Sequence, residues 1–175
     1  MKGLKRSLSR GPAAQQEVFR MDLAFDQTID ITGVDAAVDA GSFVLGGLPQ
    51  GNLLFLGAVA YATVDATGDA HVIDNWDGDF GIGTIPNADV DLADAGDDDI
   101  IPSTALSAGA SDKIAPRTRG ASTGTEHGLI IDNTDGSLEL NFNLLIDDNV
   151  ITDTEDGSFR CYGVLHAAFI VLGDD

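Results

Sequence analysis

The chain is poor in the residues on which catalytic and membrane-spanning proteins usually depend. It has one cysteine, Cys161, which excludes an internal disulfide and leaves no redox compartment to infer. That cysteine lies in an apolar run and reads as a small core residue rather than a nucleophile. The three histidines, His71, His127 and His166, stand far apart, with no partner at ligand or triad spacing. No G-x-S-x-G, HExxH, P-loop or dinucleotide fingerprint occurs, so an enzyme is not expected. Long apolar runs are missing too. Nothing approaches the ~18 continuous apolar residues of a membrane helix. The basic start is not followed by the apolar stretch of ~7–15 residues that marks a signal peptide. A soluble protein made in a cytoplasm is therefore expected. Aromatics make up only 6% of the 175 residues, so aliphatic residues and alanine must fill most of any core.

Aspartate and glycine are abundant instead. Of 29 acidic residues 25 are Asp, and there are 21 glycines. Aspartate is disfavoured in helices and strands but suits turns, so its excess over Glu and Lys points to an all-β domain with many loops. The hydrophobic pattern agrees. Phe19, Met21, Leu23 and Phe25 alternate with Arg20, Asp22 and Ala24, and Ile29 and Ile31 repeat the alternation. A short strand from Ser42, a turn at 48–51 and a long run from Leu53 to Val64 follow. Both faces of that run are apolar or small, as in a strand covered on both sides. Two short strands are expected around Val72 and Phe80. In the last third, Leu138, Leu140, Phe142, Leu144 and Ile146 alternate with Ser137, Glu139, Asn141 and Asn143, a strand with one buried face. The stretch 158–173 reads as another long strand, apolar on both faces towards its end. About eight strands with turn signals predict a single β-sandwich domain over 17–175, of jelly-roll type. Residues 87–127 are polar and irregular, broken only by DIIPSTAL, and read as a functional excursion or binding loop.

The Asp clusters suggest calcium but do not fit it. Counting an EF-hand loop from Asp74 puts Trp76 at position 3 and Gly78 at position 5, where oxygen ligands are required. The 87–99 stretch has carboxylates without a recognised spacing, so no metal or other cofactor is expected. Asp-Gly at 77–78, 135–136 and 156–157 is read as turn chemistry. GDFGIG (78–83) is glycine-rich, but no helix follows to bind a phosphate.

Charge is unevenly placed. Residues 1–16 hold Lys2, Lys5, Arg6 and Arg10 and no acid, so this segment carries +4. The total of −20 then leaves −24 for the remainder. The segment lacks a sustained apolar period, contains the breaker pair Gly11–Pro12, and reads as a basic N-terminal arm. Lys113, Arg117 and Arg119 fall in the 106–127 stretch, where no strand is expected. Arm and loop together are candidates to reach an acidic partner, including another copy of this chain. Such contacts must be close, because salt screens charges beyond ~8–10 Å. A net charge of −20 argues against nucleic acid as a partner.

The phrase order WDGDFGIGTIPNADVDL, DIIPSTAL, IIDNTDGSLELNFNLLIDD and a closing VLGDD resembles small virion proteins of tailed bacteriophages, over roughly residues 41–175. The resemblance implies a capsid decoration (cement) protein on the outside of the virion. Its partners would be the major capsid protein and further copies of itself, a trimer being the leading arrangement, with no nucleic acid and no membrane. The arm lies outside the matched region. Other readings are a tail or head–tail connector protein, a carbohydrate- or cation-binding module using the 87–99 loop, and a hydrolase.

Overall fold

The computed structural model describes residues 18–32, 39–68, 78–87, 92, 96–106, 111–114, 117–118, 129–146 and 156–173. Ten strands are found among them: β1 (Val18–Thr32), β2 (Asp39–Gly47), β3 (Gly51–Gly68), β4 (Gly78–Gly83), β5 (Ile101–Leu106), β6 (Ser111–Ile114), β7 (Arg117–Thr118), β8 (Ile130–Asn133), β9 (Glu139–Ile146) and β10 (Asp156–Gly173). No described residue is helical, and among the described residues no helix is long and apolar enough to cross a membrane.

The strands pair in a nested series. β4 pairs with β5, β3 with β6, β7 and β8, β2 with β9, and β1 with β10, all antiparallel. One long hairpin is thus rolled up so that successive pairs fall in alternate sheets. The first sheet runs β1-β10-β3, with β6, β7 and β8 along the far edge of β3; the second runs β2-β9-β4-β5. This strand order is a jelly roll, and the all-β sandwich expected from the alternating pattern is the fold of the chain.

The few aromatics are spent on the space between the sheets. Phe142 on β9 stacks on Phe43 of β2 and Phe80 of β4, at centroid distances of 5.1 and 5.4 Å, and Phe25 of β1 reaches across to Phe142 at 5.4 Å. Phe55 and Phe169 form a second pair at 5.4 Å. Aliphatic residues fill in around them, and Leu53, Ile82, Ile101, Leu140, Leu144 and Leu165 have no solvent exposure. Rings offset in this way add to the stabilisation from burial itself.

Several expectations change on folding. Residues 18–32 form one continuous strand that carries both stretches of the alternation. In β3 the inward set shifts from Leu53 and Phe55 to Ala60, Ala62 and Val64. The cause is a bulge: Phe169 faces Phe55 and Ala168 faces Gly57, leaving Leu56 as the extra residue, with Gly57 at φ 145°. On the other face of β3, Leu56 and Tyr61 stand exposed rather than covered. The stretch 106–127, where no strand is expected, contains β6 and β7. These short polar strands join the sheet through backbone pairing with β3, which leaves no hydrophobic alternation to read. Asp156 and Gly157 belong to the β1–β10 ladder rather than a turn. Asp135–Gly136 does form one, with Gly136 at φ 72° and its N–H bonded to Asn133 O. The strand expected around Val72 lies outside the described residues.

Candidate functional site

The two outer faces of the sandwich differ, and the difference begins in β4. Phe80 and Ile82 point into the core, so Gly81 and Gly83 face outward. A Cβ on Gly83 would stand 1.9 Å from Gly96 O and 2.4 Å from Asp97 C, and one on Gly81 would meet Asp98 Cβ at 3.1 Å. GDFGIG is therefore a strand whose outward glycines let the β4–β5 connection lie directly on it.

Asn143 fixes that connection in place. It faces outward on β9 opposite Gly81, yet it has no solvent exposure. Its Oδ1 accepts the Asn87 N–H (2.9 Å), and its Nδ2 donates to Ile85 O (2.9 Å) and Asp97 O (2.7 Å). One amide thus ties both ends of the connection to the sheet. The sequence pattern places Asn141 and Asn143 on a solvent face, but both are buried, Asn143 beneath this connection.

The aspartates of this segment serve the loop. Asp99 accepts both the N–H and the hydroxyl of Thr84, each at 3.0 Å, and Asp98 accepts the Ser103 N–H. Burial pushes the Asp99 carboxyl up to about 6, against the Thr84 hydrogen bonds, which pull it down. No group of three or more His, Cys, Asp or Glu residues able to hold a metal occurs among the described residues. Asp89, Asp91 and Asp94 lie outside them.

Asn133 is the equivalent device at the other end. Its Nδ2 donates to Leu48 O and Pro49 O, and its Oδ1 accepts the Leu138 N–H, joining the β2–β3 turn to the β8–β9 turn. Asp132 and Asp135 cap this turn by accepting from Thr134 and Ser137, which holds both carboxyls below the usual range.

The outer face of the first sheet carries exposed side chains among the described residues. Register aligns Val18, Ile170, Leu54 and Ile130 in one row across β1, β10, β3 and β8. Val18 is 48% and Ile130 62% exposed, and Leu56 and Leu172 are exposed nearby. Further along, the face turns polar. Asp22 pairs with His166 (2.5 Å), and Asp26 holds Arg160 through two bonds of 2.8 and 2.7 Å. Arg160 lies over the Tyr162 ring, opposite Asp65 in register, and Asp30 accepts from Ser158. The Arg160 guanidinium keeps the Asp26 carboxyl below its usual range.

A shallow groove of about 420 Å³ follows the bulge, lined by Arg20, Asp22, Leu56, Val59, His166 and Ala168 among others. Its histidine and acid are both exposed, at 48% and 75%. Cys161 is buried in the core with its thiol pushed up to about 12 by burial, as expected of a core residue rather than a nucleophile.

Of the basic residues singled out from the sequence, Lys113 lies in β6 opposite Thr63 and Arg117 in β7 opposite Val59, so both sit on the β3 edge of this sheet. Lys2, Lys5, Arg6, Arg10 and Arg119 lie outside the described residues, as do His71 and His127. Sequence reasoning missed the row of apolar residues. The outward acids of β1 were readable from its alternation, but the row depends on register between strands distant in sequence.

No protein-family model and no curated protein matches the chain. Among solved structures, it is similar to a chain of infectious bursal disease virus, Gx strain, at 11% identity and a TM-score of 0.42, covering 90% of this chain and 32% of that one. A chain of the T=1 particles derived from infectious bursal virus gives 11% and 0.40, covering 87% and 31%. The chain therefore spans about a third of the length of these two. A chain of mud crab tombus-like virus gives 13% identity and a TM-score of 0.38, covering 93% of this chain and 94% of that one. The assignment to the jelly-roll fold rests on the strand order and register of the chain itself.

Proposed function

We propose that the chain is a structural virion protein that binds the outside of a tailed-phage capsid as an oligomer and cements neighbouring capsomers. The observation that carries this reading is the contrast between a filled interior and one open face. Jelly rolls also serve as lectins and small-molecule enzymes. Here the space between the sheets is occupied by Phe25, Phe43, Phe80, Phe142, Phe55 and Phe169, so any ligand must be met from outside. Apolar residues gathered at one end of an exposed sheet are the usual mark of a protein-binding surface. The likeness of WDGDFGIGTIPNADVDL and the following phrases to tailed-phage virion proteins supplies the virion context.

The mechanism is mass action. A protein that binds the assembled shell but not its dissociated subunits stabilises the shell without turnover, and many weak contacts in a symmetric array add through multivalency. The test is to locate the chain in gradient-purified particles from its source, by immunolabelling and protein identification. It is expected to band with particles, and stripping it should lower the temperature at which they rupture. Recovery only at the top of the gradient, or in tails without heads, would refute the capsid assignment.

A further inference from the structure

We propose that a shallow groove on the outer face of the second sheet, beside the β4–β5 connection, binds an aliphatic ammonium group. The inference goes beyond the shell reading and does not depend on it. It stands on a buried amide with an unused acceptor, on hydroxyls whose protons are already committed, and on the charge of the lining.

The groove holds about 270 Å³. Its floor is Asn141, which register sets between Val44 of β2 and Gly83 of β4. Asn141 is only 4% exposed, a degree of burial at which polar atoms ordinarily have partners. Its Nδ2 donates to Glu139 O at 3.1 Å, but its Oδ1 accepts no hydrogen bond from any described residue. That oxygen is not closed off from solvent, and Asn141 lines the groove. An acceptor held in this way calls for a donor from outside.

The neighbouring groups also offer acceptors. The Thr84 hydroxyl donates to Asp99 and the Ser137 hydroxyl to Asp135, at 3.0 and 2.8 Å. With their protons committed, both present only lone pairs to a ligand. Glu139 is exposed and is the one charged side chain among the described lining residues, so no cation opposes it there. A sugar hydroxyl brings an acceptor with every donor and would set acceptors against acceptors. An ammonium brings only donors and the opposite charge. Val44, 43% exposed, and the adjacent Pro86 and Leu138 give its aliphatic stem an apolar surface to lie on. A bare metal ion would leave that surface unused, and one carboxylate among neutral oxygens is a weak ligand set for it.

The test is an NMR titration of the full-length chain with 1,4-diaminobutane, following the side-chain amide of Asn141. That signal should move saturably with a Kd of about 1 mM, a weak affinity in keeping with so small a ligand. 1,4-Butanediol, equal in length but uncharged, should leave it in place. Glu139→Gln should weaken binding about fivefold or more, as for loss of an exposed charge contact, whereas Asp30→Asn on the other sheet should not. Asn141→Ala, followed through the backbone amide of Val44, should weaken it to a similar degree, and circular dichroism checks that each variant folds.

A lysine side chain carries the same group, so Nα-acetyl-lysine methylamide is titrated in parallel. Tighter binding of the diamine assigns the groove to a free amine, and tighter binding of the lysine derivative assigns it to a lysine of a protein partner. An Asn141 amide that does not respond, equal binding of the diol, or equal weakening by Asp30→Asn would each overturn the inference. The last would mean that the amine follows the net charge of −20 rather than this groove.

Discussion

Replacing Asn143 with alanine should be among the most costly single changes outside the apolar core. The side chain has no solvent exposure and makes three hydrogen bonds of 2.7–2.9 Å, all to main-chain groups of the β4–β5 connection. Truncation takes that partner from the Asn87 N–H, Ile85 O and Asp97 O. A buried polar group that loses its partner costs ~1–3 kcal/mol, so the total should be about 3–5 kcal/mol after some relief from entering water. For a domain of this size each kcal/mol lowers the melting temperature by ~2–4 °C, giving a fall of about 10 °C or more. Asn143→Asp should be worse, because a buried carboxylate would face two carbonyl oxygens. The control is Asn141→Ala, since among the described residues that side chain donates to Glu139 O on its own strand and not to the connection. Thermal and urea unfolding report stability, and limited proteolysis between residues 85 and 97 reports release of the connection. If Asn143→Ala costs less than about 1 kcal/mol, or no more than Asn141→Ala, the amide is not what holds the connection to the sheet.

Asp99→Asn should stabilise the fold in a pH-dependent way. The folded carboxyl titrates at about 6, above its usual 3.8, so the folded state holds the proton more tightly and stability falls as pH rises from about 3.8 to about 6. Asparagine can keep both Thr84 contacts without ionising. The advantage of the variant, followed by urea unfolding, should grow from near zero at about pH 3.5 to at most about 3 kcal/mol by about pH 8; a constant difference would refute the burial explanation. Gly83→Ala should cost ~1–3 kcal/mol, because its Cβ would overlap the Gly96 and Asp97 backbone. Gly47→Ala, with no atom within 4 Å of its Cβ, should be nearly neutral in the same melting assay.

Much of the fold was legible because a period of two is a local property. The alternation of Phe19 to Phe25 and of Leu138 to Ile146 is present in any conformation of the chain, and it put the right residues of β9 on the core side. The Asp and Gly excess pointed correctly to an all-β chain with many turns. Local reading failed where a residue's partner is remote. Asn143 resembles any solvent-facing strand residue until a segment 46–58 positions away closes over it. The strand around Phe80 was expected, but the reason its outward positions are bare glycines shows only once the overlying connection is known. Lys113 and Arg117 lie in short polar strands that no alternation announces, paired with β3 through its backbone ladder.

The candidate face divides in the same way. By itself the sequence determined an all-β chain, a core built on few aromatics, and a +4 segment joined to a −24 remainder, because composition, alternation and charge need no tertiary contact. Only the tertiary structure decided which residues share a surface. Val18, Leu54, Ile130 and Ile170 meet in one row because antiparallel register aligns strands that lie up to 152 positions apart in the chain. The same packing buries Asn143 of β9 beneath the β4–β5 connection, while Arg160, His166 and Leu172 of β10 stay exposed, because which strand face is covered depends on segments remote in the chain.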